Sequence, residues 1–481
     1  PGNSSTSSKK FVSKFTKGYR FELPKIEYFV TKERLSGKAG LGSMLDLFGA
    51  TRGFESFKEC LPVRDSNYSY DSIQYGLGLL AGFWLGADCL EDIEKLKNDE
   101  FLLAKLGGKI PTARSIGSWL RDFGSEHIQK TQRFLTAQAL SYRSHLKPGT
   151  PLVLDMDSTS HPQSGVKIEG VGWNYKNEWA LDSLATFCDM GFCYGFSLRG
   201  GSTFSSTGAV GQLRSIVEQI KADPSFVDNK NPIYYRADSA FCNEEVLREC
   251  LRLGIKFTIT AHGNLQWESF VRDNTTDTDW QEWVYTKDEI EESIAKKRAL
   301  PRVEVASILY TPSWADNIRF KLVVKRTFEV EDEGLFKGMG HWHYYGVLTN
   351  VMDYLESPQA ILEHHMQRGN AENRIKAFKG DYDLKHFPCL KMSANFAYGL
   401  LGMVALNFHR ALSLVEDPKT PRFSKSFRER LIKIPGRLVQ HARALQIKIE
   451  VHWLREVQRL IKAWHEPPQI MLTFKLRYKT A

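Results

Sequence analysis

The chain changes periodicity at Pro148-Gly149, and that change limits what it can fold into. Before it, apolar residues recur at helical spacing over 72–85, 89–106, 112–123 and 126–144. Asp88 and Thr112 stand where N-caps belong, and Gly107-Gly108 with Pro111 closes the helix between them. After it, strand-length apolar runs alternate with helical ones. Pro151-Leu-Val-Leu-Asp-Met-Asp reads as a strand ending in acids, and a Ser/Thr/Pro/Gly loop follows to Gly172. Strands are expected over 180–187, 192–198, 233–237 and 256–260, with helices over 209–222 and 244–253. The stretches 281–285, 302–310, 319–327 and 342–349 then alternate like strands, with no helix long enough to join parallel ones. Helical spacing returns over 357–380 and 391–414.

Strand, strand, strand, helix, strand, helix, strand is the order of a ribonuclease H-like fold. The expectation is therefore an α/β protein: a ribonuclease H-like core interrupted by a β-rich insertion, with helical N-terminal and basic C-terminal regions. The expected boundaries are a flexible arm over 1–20, the helical region over 21–148, the core over 149–262 and 342–414, the insertion over 263–341, and the basic region over 415–481. Charge marks the last of these. From Pro418 to Ala481 there are 15 Lys and Arg against 4 Glu, an excess of 11 in a chain whose net charge is +9, so the remainder sums to −2. With Trp453 and Trp464 among them, these cations suit a polyanion-binding surface, or a solvated basic face. The 7 Cys include no C-x-x-C pair, which argues against a disulfide framework or a Cys-based zinc site and for reduced, cytoplasmic thiols. The longest near-continuous apolar stretch, 396–408, is shorter than the roughly 20 residues of a membrane span, so no membrane partner is expected.

Three acids stand where this strand order would bring them together. Asp157, or Asp155, closes the first strand, Asp238 follows the fourth, and Glu372 lies in the helix after the insertion. Neighbouring strands run about 5 Å apart, so acids at their ends can converge on a pair of hard cations about 3.5 to 4 Å apart. Such a pair polarises a phosphodiester, activates water or a 3′ hydroxyl and stabilises the leaving oxygen. Alternation puts Asp155 and Asp157 on the same side of the strand and leaves open which is the ligand and which the alternate.

The sequence around Glu372 is His364-His365-Met-Gln-Arg-Gly-Asn-Ala-Glu-Asn-Arg-Ile-Lys-Ala-Phe-Lys379. On one continuous helix, at about 100° per residue, Arg368, Glu372, Lys379 and His365 fall within about 60° of each other. Cations one turn from a metal-ligating acid are what is needed to hold a DNA backbone beside it. The same spacing also makes an exposed face laced by pairs such as Arg368–Glu372.

Arg368, three residues, Glu372, six residues, Lys379 resembles the Tyr-Arg-Glu-Lys signature of the DDE transposases of bacterial insertion sequences, and Arg-Gly-Asn-Ala-Glu-Asn resembles its form in the insertion-sequence thirteen-eighty family. Leu154-Asp-Met-Asp-Ser-Thr and Arg236-Ala-Asp-Ser-Ala-Phe are similar to that family's first and second acid motifs, and Arg199-Gly-Gly-Ser-Thr to its Arg-x-Gly-Asn turn. The piggyBac transposases look like more distant relatives. The resemblance covers about 85–445. It implies Asp157, Asp238 and Glu372 as catalytic metal ligands for two Mg²⁺, with Mn²⁺ as substitute. It further implies double-stranded DNA partners (inverted-repeat ends and target), cut-and-paste strand transfer, a homodimer on DNA, and a place at the bacterial nucleoid. His365, Arg368, Lys376, Lys379, Arg430, Lys433 and Arg437 are the expected DNA contacts. The alternatives are a nuclease of the same fold that cuts without joining, and a transposase-derived DNA-binding protein without catalysis. The signature Tyr is replaced by His365, which titrates near neutrality when exposed. His341 and His343, on one side of a strand, have no Cys or acid partner at ligand spacing, and Ser202-Thr-Phe-Ser-Ser-Thr reads as a loop rather than a nucleophile.

Overall fold

The computed structural model describes residues 30–64, 70–228, 230–315, 318–330, 340–352, 357–441 and 444–469. The expected arm over 1–20 lies outside them, as does the last part of the basic region. Helix α1 (Ser72–Leu85) opens on a reciprocal cap, Asp71 accepting from the Ile73 amide while Gln74 accepts from the Asp71 amide, and it closes at Gly86 with φ 78°. The helix expected over 89–106 is broken. Asp99 turns its carboxylate onto the Leu102 amide and starts a new helix, Glu100–Lys105, behind the short helix Leu90–Glu94 and a 3₁₀ turn. Thr112 caps as expected, accepting from Ser115, but Cys89 rather than Asp88 occupies the earlier cap position. Helix α2 (Ser125–Ser141) rests on the sheet, its Thr136 hydroxyl donating to the Tyr194 carbonyl at 2.7 Å.

The sheet begins with the meander β1 (Leu152–Pro162), β2 (Trp179–Cys188) and β3 (Cys193–Arg199). Helix α3 (Ala209–Lys221) then leads to β4 (Ile233–Ala237), and α4 (Glu244–Arg252) to β5 (Lys256–Thr260). β1 pairs antiparallel with β2 and parallel with β4, and β4 is parallel with β5. Each of these elements lies where the periodicity puts it, except that β1 runs on through Ser158–Pro162, which the sequence reads as loop. The segment 263–341 joins this sheet: β6 (Val303–Tyr310), β7 (Phe320–Val330) and β8 (Gly340–Thr349) extend it beyond β5 through an antiparallel β5–β8 pair, and with the two-residue strands Gly172–Trp173 and Gln281–Glu282 the sheet has ten strands among the described residues. It also carries the helices Trp267–Asn274 and Lys287–Ala295, which the alternation did not show.

Helices α5 (Pro358–Met366) and α6 (Gly369–Asp381) follow, then α7 (Met392–Glu416). The 25 residues of α7 are long and apolar enough to cross a membrane, but 94% of its apolar window is buried inside the protein, as befits a core helix. Its Asn407 side chain pairs with both main-chain groups of Cys193, at 2.7 and 2.8 Å, and its Ala405 carbonyl accepts from the Trp84 indole at 2.9 Å. The basic C-terminal region folds as a hairpin, Gly436–His441 with Ala444–Ile449, and the helix α8 (Val451–His465).

One buried ion pair fixes the centre of the sheet. Asp155 and Arg236 face each other in the β1–β4 register, neither more than 2% exposed, with the guanidinium bonded to both carboxylate oxygens at 2.6 and 2.8 Å. The same Arg236 donates to the His364 carbonyl at 2.5 Å, so the pair also holds the end of α5. Taking away one partner strands a buried charge. Arg236→Met is therefore expected to lower the unfolding free energy by about 3 to 5 kcal/mol in urea denaturation, whereas replacing both residues together by apolar ones of similar volume costs far less.

Candidate active site

The Asp155–Arg236 pair determines what lies next to it. β4 ends at Ala237, while β1 runs on to Pro162, so two residues past the pair Asp157 stands beside the point where Asp238 leaves the sheet. Asp238 is half-buried and turns one oxygen onto the Ala240 amide at 2.9 Å, capping a single turn. Asp157 accepts from the Ser158 amide at 2.8 Å, and its other oxygen lies 3.6 Å from an Arg368 Nη1. Burial pushes the Asp157 carboxyl up to about 6, with Asp238 and Glu372 raising it further and Arg368 opposing them. Three acids thus share one electrostatic neighbourhood. Among the described residues, no three His, Cys, Asp or Glu side chains stand close enough to hold one metal ion.

Asp155 is placed differently. Both its oxygens are engaged by Arg236, and Arg374 approaches at 3.5 Å, so it acts as a fixed counter-charge in the core.

Glu372 projects from the first turn of α6 into a trough of about 640 Å³ that it shares with Asp157, Lys176, Lys376, Lys379 and Lys385. Lys379 is half-buried and donates to Thr159 Oγ1 at 3.0 Å and the Ser160 carbonyl at 2.5 Å, tying α6 to β1; burial lowers its proton affinity. Lys376 is exposed beside it. Lys176 and Lys385 carried no motif in the sequence: they reach the trough from the loop before β2 and the turn after α6, and only the tertiary fold brings them there.

His365 does not join this face. The continuous helix expected through 364–379 breaks at Gln367-Arg368, where the Arg368 amide bonds to His365 and the Ala371 amide to Arg368, a 3₁₀-like step that rotates α5 away from α6. Gly369, a weak helix former, follows the break. The His365 ring is 1% exposed and wedged against β5, with Nδ1 and Nε2 each 3.0 Å from the hydroxyls of Thr258 and Thr260. Burial and the nearby Arg368 and Arg236 pull it down to about 3, so it is a neutral packing group out of reach of a phosphate. In the C-terminal region, Arg430 bonds Glu456 at 2.7 Å and Lys433 bonds Glu429 at 2.6 Å, while Arg437 is exposed on the hairpin. Arg199, from the Arg-Gly-Gly turn, bonds Asp182 and the carbonyls of Ser205 and Thr207, which fastens the loop before α3 to β2.

The family model for the transposase DDE domain, group 1, matches residues 24–463. No curated protein matches the chain.

The raised Asp157 carboxyl has a cost in stability. Between its ordinary value of 3.8 and about 6, the native chain keeps a proton that the unfolded chain has released, so stability falls as pH rises through that window and does not recover above it. Asp157→Asn is accordingly expected to raise the unfolding free energy at pH 7.5 by on the order of 2 kcal/mol, a gain that fades below pH 4. Chemical denaturation of both chains at the two pH values measures it.

Proposed function

The chain belongs to the transposase DDE domain family, and from that premise we propose that it cuts DNA at the inverted-repeat ends of a bacterial insertion sequence and joins the freed 3′ hydroxyls to target DNA. The observation that carries this reading is that the buried Asp157 carboxylate, which shares a lysine-lined trough with Glu372, feels the charges of both Asp238 and Glu372. Hard carboxylate oxygens are the donors a divalent cation takes, although the three side chains as placed do not close on one ion. Asp157, Asp238 and Glu372 would hold two Mg²⁺, or Mn²⁺, supplying Lewis-acid activation of the attacking hydroxyl and of the scissile phosphate. A meander followed by two parallel strands, in the spatial order β3-β2-β1-β4-β5, supports a ribonuclease H-like core.

The chain's own residues divide the remaining work. Lys376, with Lys176 and Lys385, neutralises the backbone entering the trough. Lys379, anchored to β1 through Thr159 and Ser160, holds the α6 face that bears Glu372 against the first acid. Arg368 keeps Asp157 charged enough to accept a cation until DNA arrives. Arg437 with Arg430 and Lys433 would grip flanking DNA. The pairs that the last two make with Glu456 and Glu429 are surface pairs, worth little, and phosphates displace them. The helical region over 21–148 and the basic region over 415–481 would hold the ends in a homodimer at the nucleoid. The insertion-sequence thirteen-eighty group, with piggyBac as a distant relation, is the branch that the motifs favour.

Two outcomes test this reading on the purified chain with the DNA that flanks its own gene. Glu372→Gln is expected to abolish nicking and joining in Mg²⁺ while leaving DNA binding unchanged, and EDTA is expected to silence the wild type. Undiminished cleavage by Glu372→Gln removes the assignment, and nicks without joined products assign a nuclease instead. Arg437→Glu with Lys433→Glu is expected to weaken binding and reduce the slope of log affinity against log salt by about one to two, read from filter binding across salt concentrations.

A further inference from the structure

A second cluster of cations lies on the opposite flank of α6, in a cleft of about 340 Å³. The helix turns about 100° per residue, so Glu372, Lys376 and Lys379 share one face while Asn370, Asn373 and Arg374 share the other. In this cleft Arg374 meets Arg410 of α7 over Gly191. A Cβ on Gly191 would sit 3.0 Å from the Nε of Arg410 and 3.6 Å from that of Arg374, and the residue's φ of 91° disfavours any side chain there. The space between the two guanidinium groups is thus kept clear.

Arg374 is partly neutralised and Arg410 is not: the buried Asp189 carboxylate, which also lines the cleft, acts on Arg374. Arg374 donates to the Asp189 carbonyl and approaches Asp155 at 3.5 Å, but that carboxylate already holds Arg236 through both oxygens. Arg410 gives its Nε–H to the Met190 carbonyl at 2.8 Å, and among the described residues no acid contributes to its charge balance. Burial and the adjacent Arg374 draw it down to about 10. Two like charges held together in a partly desolvated cleft are stabilised by an anion that accepts from both, and planar guanidinium groups suit the oxygens of a phosphate.

We propose that this cleft binds a phosphate group between Arg374 and Arg410, with Asn373 and Ser424 at its rim. The phosphate belongs either to the backbone of bound DNA or to a free phosphate compound. Because α6 carries Glu372 on its other face, an anion here also braces the helix that completes the acid cluster. The inference stands apart from the proposed cleavage chemistry and survives if that chemistry fails.

Calorimetric titration of the full chain with inorganic phosphate, at constant ionic strength in sodium chloride, tests it. Saturable one-site binding is expected in the wild type, at least tenfold weaker in Arg410→Gln and in Asn373→Asp. Asn373 is exposed, so its substitution decides the matter should Arg410→Gln not fold. Phosphate displaced by duplex DNA assigns the site to the DNA backbone; phosphate retained in its presence assigns it to a free compound, and either result supports the site. A wild type without saturable binding, or an Asn373→Asp chain that binds phosphate as tightly as wild type, overturns it.

Discussion

The buried pair of Asp155 and Arg236 is the constraint on which the candidate site depends. It sets the register of the two central strands, and that register places Asp157 beside the exit of β4, where Asp238 begins its turn. Through the His364 carbonyl the same guanidinium holds the end of α5, and through Asp155 it meets Arg374 of α6, the helix that presents Glu372. A desolvated pair of this kind adds little net stability over apolar packing. Its place is what matters here: it lies in the register that sets Asp157 beside Asp238, and it contacts both helices that lead to Glu372.

Much of the fold could be read from the sequence because the pattern was strong. The strands at 179–188, 233–237 and 256–260 are short apolar runs ended by polar turns, and the helices between them are amphipathic, so period and length agreed, whereas the strand begun at 152 runs on through the polar residues 158–162 that read as loop. The misreadings have local causes. Asp99 carries a side chain that competes for backbone amides, and it cut one expected helix in two. The helices at 267–274 and 287–295 sit in a charged segment: the first shows only one short apolar set, Trp267, Phe270 and Val271, and no side-chain cap, and the second is marked by its capping pair, Thr286 with Glu289.

At the site the division is sharper. Asp157, Asp238 and Glu372 stand out by residue type together with the resemblance of their flanking motifs to a known family, and the fold puts Asp157 within reach of the charges of the other two. Asp155 and Asp157 could not be told apart by alternation, since both side chains leave the strand on the same side; only the partner strand distinguishes them, by supplying Arg236 opposite the first. His365 was misplaced by treating 364–379 as one rigid helix, when a single 3₁₀ step at 367–368 turns its ring into the core. Lys176 and Lys385 lie far from every motif, and no local pattern could have gathered them.

Asp157, Asp238 and Glu372 are proposed to act as one cation-binding unit. Titration of the purified chain with Mn²⁺, followed by electron paramagnetic resonance of the free ion, tests it without requiring a DNA substrate. Saturable binding is expected that weakens in each of Asp157→Asn, Asp238→Asn and Glu372→Gln but persists in Asp155→Asn wherever that chain remains folded. Binding that survives all three single substitutions, or a wild type that takes up no Mn²⁺, would contradict it.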